Sequence, residues 1–167
     1  MRIDLIGGSG FIGTCLAGRL LAAGHDVRII DKEPSHAFPD VVTIGDVRSV
    51  EEMRRAIRPE TVIVNLAAEH RDDVRPVSLY REVNVEGMRN ILSVATEHQV
   101  RRVVFTSSVA VYGFAPVGTD ENGAIAPFND YGRTKHEAEE LLRAWHRESP
   151  QERMLAIVRP TVVFGER

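Results

Sequence analysis

Short runs of aliphatic and β-branched residues recur along the chain, separated by longer stretches in which apolar positions return every three or four residues. The runs are Ile3–Ile6, Val27–Ile30, Val41–Ile44, Val62–Asn65, Val103–Thr106 and Leu155–Val158. They are largely apolar rather than alternating, which predicts strands of a parallel sheet covered on both faces. Helical periodicity lies between them, at roughly Phe11–Ala23, Val50–Ile57, Ser78–His98 and Tyr131–His146. Gly24 just beyond the first of these and Pro150 beyond the last are ordinary helix stops. Alternation of strands and helices, with right-handed crossovers, predicts an α/β fold with a doubly wound parallel sheet. Its 167 residues suffice for one domain with a real core, and no repeat or linker divides them.

Composition narrows the function classes. The chain is 43% hydrophobic and 27% charged with a formal net charge of −3, ordinary for a soluble protein. That charge gives no attraction to nucleic acid or anionic membranes, and pairs such as Arg54-Arg55 and Arg101-Arg102 read as solvated positions. Cys15 is the only cysteine, so no internal disulfide forms and a reducing compartment is expected. Beside Leu16 and Leu20 in a helix, it is expected to be a small buried residue. No apolar run approaches the roughly 20 residues of a membrane span, and Met-Arg followed at once by a strand is not a signal peptide. The expected setting is cytoplasmic, without membrane or nucleic-acid partners.

The first candidate chemistry is Gly7-Gly8-Ser9-Gly10-Phe11-Ile12-Gly13, which leaves the first strand and opens the first helix. Gly7 permits a tight turn, Gly10 lets backbone approach a pyrophosphate, and Gly13 lets helix and strand pack closely. Freed amides and the positive end of the helix dipole favour phosphates there. The spacing, with three glycines at intervals of three, differs from G-x-G-x-x-G but occupies the same strand-turn-helix context of a Rossmann domain. Asp31 ends the second strand about 20 residues beyond, where a carboxylate accepts hydrogen bonds from the adenosine ribose. It would repel the extra phosphate of NADP, so NAD is expected, although Lys32 next to it softens that exclusion. Asp46-Val47 after the third strand stands where a side chain could meet adenine, or where Asp46 merely caps a helix.

Four further segments complete a pattern: Asn65-Leu66-Ala67-Ala68, Val83-Asn84-Val85-Glu86-Gly87, Thr106-Ser107-Ser108-Val109-Ala110-Val111-Tyr112-Gly113 and Tyr131-Gly132-Arg133-Thr134-Lys135. With the glycine loop they make the chain, from Arg2 to Arg159-Pro160-Thr161, resemble the extended short-chain dehydrogenase/reductases. The specific resemblance is to the NAD-dependent epimerase/dehydratase family acting on nucleotide sugars, of which UDP-glucose 4-epimerase is a familiar member. The resemblance implies that Tyr131 and Lys135 are catalytic and that Ser108, or one step away Ser107, hydrogen-bonds the reacting oxygen. It further implies that Ala67 and Ala68 line the cofactor, that Asn84 sits near it and steadies a helix, and that Pro160 and Thr161 border the nicotinamide. The implied cofactor-binding set is Gly7, Gly10, Phe11, Ile12, Gly13, Asp31, Asp46, Val47, Ala67, Ala68, Asn84, Ser107, Tyr131, Lys135 and Pro160. A homodimer built on the Ser78–His98 and Tyr131–His146 helices is also implied, and the apolar Ala138, Leu141, Leu142 and Trp145 fit it, although a core stripe explains the last three as simply.

Tyr131 and Lys135 are i and i+4, on one helix face. Bringing a phenol from a pKa of about 10 to about 7 requires roughly 4 kcal/mol of phenolate stabilisation, which one nearby cation and an oxidised nicotinamide can supply. Tyr131 would then take a hydroxyl proton as hydride leaves the same carbon, with Ser108 holding the oxygen. No metal is required, and His70 in Glu69-His70-Arg71-Asp72-Asp73 has no second ligand at helical or hairpin spacing. Dehydratases of the family carry Asp-Glu just before the segment matching Val111-Tyr112-Gly113; Val109-Ala110 here points instead to a nucleotide-sugar epimerase. A nucleotide-sugar reductase or dehydrogenase, and a non-catalytic NAD-binding module, stay as alternatives. Family members continue into a carboxy-terminal substrate domain that is absent from residues 1–167. The expectation is a Rossmann part truncated after Phe164-Gly165-Glu166-Arg167 that binds NAD without turnover, the sugar being unnamed by the sequence.

Overall fold

The computed structural model describes residues 1–71 and 73–165; Asp72, Glu166 and Arg167, on which parts of the His70 and chain-end expectations fall, lie outside the described residues. Six strands, β1 (Arg2–Ile6), β2 (Asp26–Asp31), β3 (Val42–Ile44), β4 (Val62–Asn65), β5 (Arg102–Thr106) and β6 (Met154–Val158), pair in parallel in the order β3-β2-β1-β4-β5-β6. Every strand lies within one residue of its expected bounds. The order reverses between β1 and β4, which opens a crevice at the carboxyl ends of these strands, the usual ligand site of a doubly wound sheet.

The helices are α1 (Phe11–Ala22), α2 (Val50–Ala56), α3 (Ser78–Arg81), α4 (Gly87–Glu97) and α5 (Asp130–Glu148). A π-helical turn, Glu82–Glu86, joins α3 to α4, so the stretch expected as one helix is continuous but locally widened. α2, α4 and α5 cover one sheet face. There Ile6, Ile30, Ile63, Val103 and Phe105 pack with Met53, Ile91, Ala138, Leu142 and Trp145, among others. Trp145 donates its indole N–H to Thr96 Oγ1 at 3.1 Å, which satisfies its one polar atom. The apolar positions of α5 are therefore used inside the chain.

On the other face Ile3, Leu5, Val27 and Ile29 pack with Ala17 of α1, backed by Leu16, Leu20 and Phe38. Coverage of this face is less complete than the strand pattern predicts. The β2–β3 connection holds only a 3₁₀ turn, Pro39–Val41, and both later crossovers fall on the opposite side, so Met154 and Val158 of β6 stay 64% and 49% exposed. Cys15 corrects a second expectation, since it is exposed. The buried face of α1 is set by Gly13 and Ala17, one turn apart, and a residue midway between them points about 200° away.

Asp4 in β1 is fully buried, and Arg58 is its partner. The Arg58 N–H donates to Asp4 Oδ2 at 2.8 Å and Nε to Oδ1 at 2.7 Å, while Nη1 reaches Asp26 at 2.6 Å. Burial raises the Asp4 carboxyl above its ordinary value despite these contacts. Removing the cation leaves an uncompensated buried acid, so Arg58→Ala is expected to destabilise the chain by about 3 kcal/mol. Urea denaturation measures it, and a loss under about 1 kcal/mol would show the pair to be dispensable.

Candidate functional site

The crevice at the sheet reversal opens into a cavity of about 1060 Å³ whose wall comes from the carboxyl end of every strand. Gly7 follows β1, Asp31 ends β2, Asp46 follows β3, Ala67 and Ala68 follow β4, Ser107 and Ser108 follow β5, and Pro160 follows β6. Phe11, Ile12 and Gly13, at the start of α1, line it too. Gly7 has φ +77°, and a Cβ there would meet the Ala67 backbone nitrogen at 2.5 Å, so β1 and β4 approach too closely for a side chain. A Cβ on Gly13 would lie 2.4 Å from the Gly8 carbonyl oxygen. On Gly10, by contrast, it would meet only the Gly7 oxygen at 3.6 Å, so the turn is open toward the cavity. No side chain caps the start of α1, and no acid stands in its first turn. Its first amides thus keep their donors and the dipole its positive end, which suits a phosphate.

At the far end of the cleft the Asp31 carboxylate accepts from Ser9 N at 2.9 Å and from Glu33 N at 3.1 Å. This ties the glycine loop to the end of β2 and leaves the carboxylate on the cavity wall. Asp46 is committed differently. Arg48 donates to it from the backbone at 2.9 Å and from its guanidinium at 2.6–3.1 Å, and these bonds hold the Asp46 carboxyl below its ordinary value. A direct adenine contact by Asp46 would have to share that carboxylate with Arg48. Val47 is buried at the wall.

Asn84 departs from its expected place. It lies in the π turn, 4% exposed and behind the cavity wall. Its Oδ1 accepts from Glu69 N at 2.8 Å, and its Nδ2 donates to Glu69 O at 3.0 Å and Thr134 Oγ1 at 3.0 Å. With its amide so occupied, Asn84 clips the loop after β4 to α5 and does not face the cleft. His70 is exposed at the rim.

Asn129 starts α5 by accepting the Gly132 N–H at 2.8 Å, a cap that sets Tyr131 in the first turn and Lys135 one turn on. The two serines after β5 separate. Ser107, at the cavity wall, is buried and its Oγ donates to Glu139 Oε1 at 2.5 Å. Ser108 Oγ caps the 3₁₀ turn Val109–Tyr112 by accepting from Ala110 N at 3.1 Å, and its hydroxyl pulls the Tyr131 phenol's pKa down against burial. Of the two serine candidates, Ser108 is the one whose geometry fits.

Burial pushes Tyr131 up, with Ser108 pulling the other way. Lys135 is 1% exposed, with Nζ 4.1 Å from the Phe105 ring centroid, and burial brings its own pKa down to about 7 against the pull of Glu139.

Sequence reasoning missed the group behind this centre. Glu139 is fully buried on α5, one turn after Lys135, and Arg159 meets it through two bonds, Nε to Oε1 at 2.9 Å and Nη2 to Oε2 at 2.5 Å. Arg159 Nη1 also donates to the Tyr112 hydroxyl at 2.5 Å. The spacing of Lys135 and Glu139 was a legible i, i+4 signal; the pairing with a residue 20 positions on was not.

The chain is similar to known proteins. Residues 3–167 match the model of the NAD dependent epimerase/dehydratase family. Over 99% of its length the chain is 49% identical to the N-acetyl-alpha-D-glucosaminyl-diphospho-ditrans,octacis-undecaprenol 4-epimerase of Escherichia coli O157:H7, covering 50% of that protein. It is 34% identical over 98% of its length to the UDP-glucose 4-epimerase of Vibrio cholerae, covering 52%. The chain thus spans about half the length of these curated relatives. Among solved structures, the Thermus thermophilus UDP-glucose 4-epimerase in complex with NAD superposes with a TM-score of 0.86 at 28% identity, over 95% of this chain and 54% of that one.

Proposed function

Since the chain belongs to the NAD dependent epimerase/dehydratase family, we propose that residues 1–167 are its NAD-binding Rossmann domain and that the protein carrying them inverts a hydroxyl-bearing carbon of a diphosphate-linked sugar. The observation that carries this is the continuity of one cavity wall from Gly10 and Asp31 to Ser108, Tyr131 and Lys135. The residues fit a dinucleotide. The open turn at Gly10 and the uncapped start of α1 suit the pyrophosphate, and Asp31 suits a ribose without a second phosphate. NAD is therefore favoured over NADP. When bound, oxidised nicotinamide supplies the hydride acceptor and a positive charge.

In this reading Ser108 orients the sugar oxygen and Tyr131 exchanges the proton at that oxygen. Lys135 is a buried cation poised near neutrality, and no metal ligand enters. Val109 and Ala110 put no carboxylate beside Ser108, which supports epimerisation over elimination of water. A reductase or a non-catalytic NAD module would use the same cleft; the preserved Ser108, Tyr131 and Lys135 favour catalysis over the latter.

UDP-sugars are one substrate class, supported by the epimerase names of two relatives. The polyprenyl diphosphate sugar named for the 49% identical relative supports a second. The test offers the protein UDP-N-acetylglucosamine and a polyprenyl diphosphate N-acetylglucosamine, each deuterated at carbon 4. The 4-epimer is expected to retain its deuterium with no net NADH; label lost to water, or NADH accumulation, would refute the epimerase.

The proposal extends to a cytoplasmic homodimer. The lone exposed thiol of Cys15 agrees with a reducing setting. With Ala138, Leu142 and Trp145 buried, the outer faces of α3–α5 offer charged pairs such as Arg81–Glu137 and Arg89–Glu86. A contact between copies there would be polar and salt-sensitive. Light scattering is expected to show a dimer that weakens with salt; a monomer at low salt and micromolar concentration would contradict it.

A further inference from the structure

Lys135 is surrounded by groups from several elements. Along α5 stand Tyr131 before it and Glu139 after it, with Arg143 3.7 Å from the far side of Glu139. From β5 comes the Phe105 ring, followed by Ser107 and Ser108. The segment after β6 brings Arg159, and the 3₁₀ turn brings the Tyr112 hydroxyl bound to it. The π turn reaches α5 through Asn84 and Thr134, without a charge. Among these described residues Glu139 is the one charged group with a resolved pull on the lysine.

We propose that Glu139 is a positioning residue for Lys135: one helical turn beyond it, its carboxylate is the buried anion that balances the ammonium, while Ser107 and Arg159 clamp that carboxylate and so hold the ends of β5 and β6 to α5. The inference rests on Lys135 being the functional lysine of the cleft. Burial alone would leave both groups neutral, because each charge is costly away from water. The clamp reverses that cost for the acid. Hydrogen bonds from Arg159 and Ser107, with the Arg159 and Arg143 cations, outweigh burial and hold Glu139 below the ordinary carboxyl range. A fixed anion on the same helix face then opposes neutralisation of Lys135, and the Phe105 ring adds to the preference for the cation. Arg159 acts at one remove, by keeping Glu139 ionised. An ion pair serving only as a staple would hold the elements together equally well without setting the charge of the lysine.

The sequence makes this measurable, because Lys32 and Lys135 are its only lysines. Labelling with lysine carrying ¹³C at Cε gives two side-chain signals, and exposed Lys32 is an internal reference. In the unsubstituted chain Lys135 is expected to titrate well below the ordinary lysine range. Glu139→Gln keeps the size and an acceptor for Ser107 while removing the charge. It is expected to lower the Lys135 midpoint by about one pH unit or more, with Lys32 unmoved and Glu139→Asp restoring part of the shift. An unchanged Lys135 midpoint in Glu139→Gln would overturn the proposal and leave a structural staple. Should Glu139→Gln not fold, the unsubstituted chain still decides. The Glu139 carboxyl carbon is expected to show an inflection at the Lys135 midpoint, and a flat response there would overturn the coupling. NAD titration of the same samples separates this question from the cofactor assignment.

Discussion

Gly13→Ala is expected to destabilise the chain by about 2 kcal/mol or more and to weaken NAD binding at least tenfold. Local propensity argues the other way, since alanine inside a helix gains about 1 kcal/mol over glycine. Packing decides the sign. The added Cβ would lie 2.4 Å from the Gly8 oxygen and 2.5 Å from its Cα, and both are backbone atoms with no rotamer to yield. Gly8 is itself hemmed in by β1, since a Cβ added there would meet the Leu5 carbonyl oxygen at 2.9 Å. Either α1 lifts from the sheet or the loop shifts, and overpacking of this kind costs about 1–3 kcal/mol beyond the propensity gained. The same shift moves the amides at the start of α1. Urea denaturation and calorimetric titration measure the two effects. An alanine variant as stable as the parent that binds NAD equally would show the approach of loop and helix to be incidental.

Lys135→Met is expected to stabilise the fold of residues 1–167, and to remove the proposed turnover from the protein that carries them. An ammonium with a folded pKa of about 7 and an unfolded one of about 10.4 costs stability wherever the unfolded chain carries the extra proton. The penalty is full at and below pH 7 and is relieved as pH rises toward 10, so stability of the unsubstituted chain climbs across that window. Methionine fills a similar volume without the charge. The variant should gain up to about 4 kcal/mol at pH 7, less the loss of the Phe105 contact, and its stability should lack the rise between pH 7 and 10. Chemical denaturation at several pH values reads the slope. A destabilised variant with the slope intact would place the titrating group elsewhere.

How much of this was legible follows from the range of the forces involved. Strands and their parallel order rest on local apolar runs and on crossover handedness, so all six were readable. The glycine loop and Asp31 were readable because a strand, a turn and a helix confine them within about 30 residues. Asn84 was expected near the cofactor and steadying a helix; its bond to Thr134 of α5 agrees with the second role, but its place behind the cavity wall comes from a π turn, which leaves no mark in periodicity. Asp46 was recognised, but not its capture by Arg48 two residues on. Ser107 and Ser108 were inseparable by spacing and became distinct only when Glu139, 32 residues away, claimed the first. The seat of the Lys135 ammonium was hidden for a related reason. Helical spacing places two side chains on one face but does not say that Phe105 receives the ammonium.

The central claim is that the cleft of residues 1–167 is an NAD site that reads the ribose through Asp31, and calorimetric titration of the chain with NAD and with NADP tests it most directly. One NAD is expected to bind per chain, at least tenfold tighter than NADP, with Asp31→Ala narrowing the gap because the carboxylate that meets the extra phosphate is gone. Equal affinities for the two dinucleotides, or no heat of binding with NAD at millimolar concentration, would contradict it.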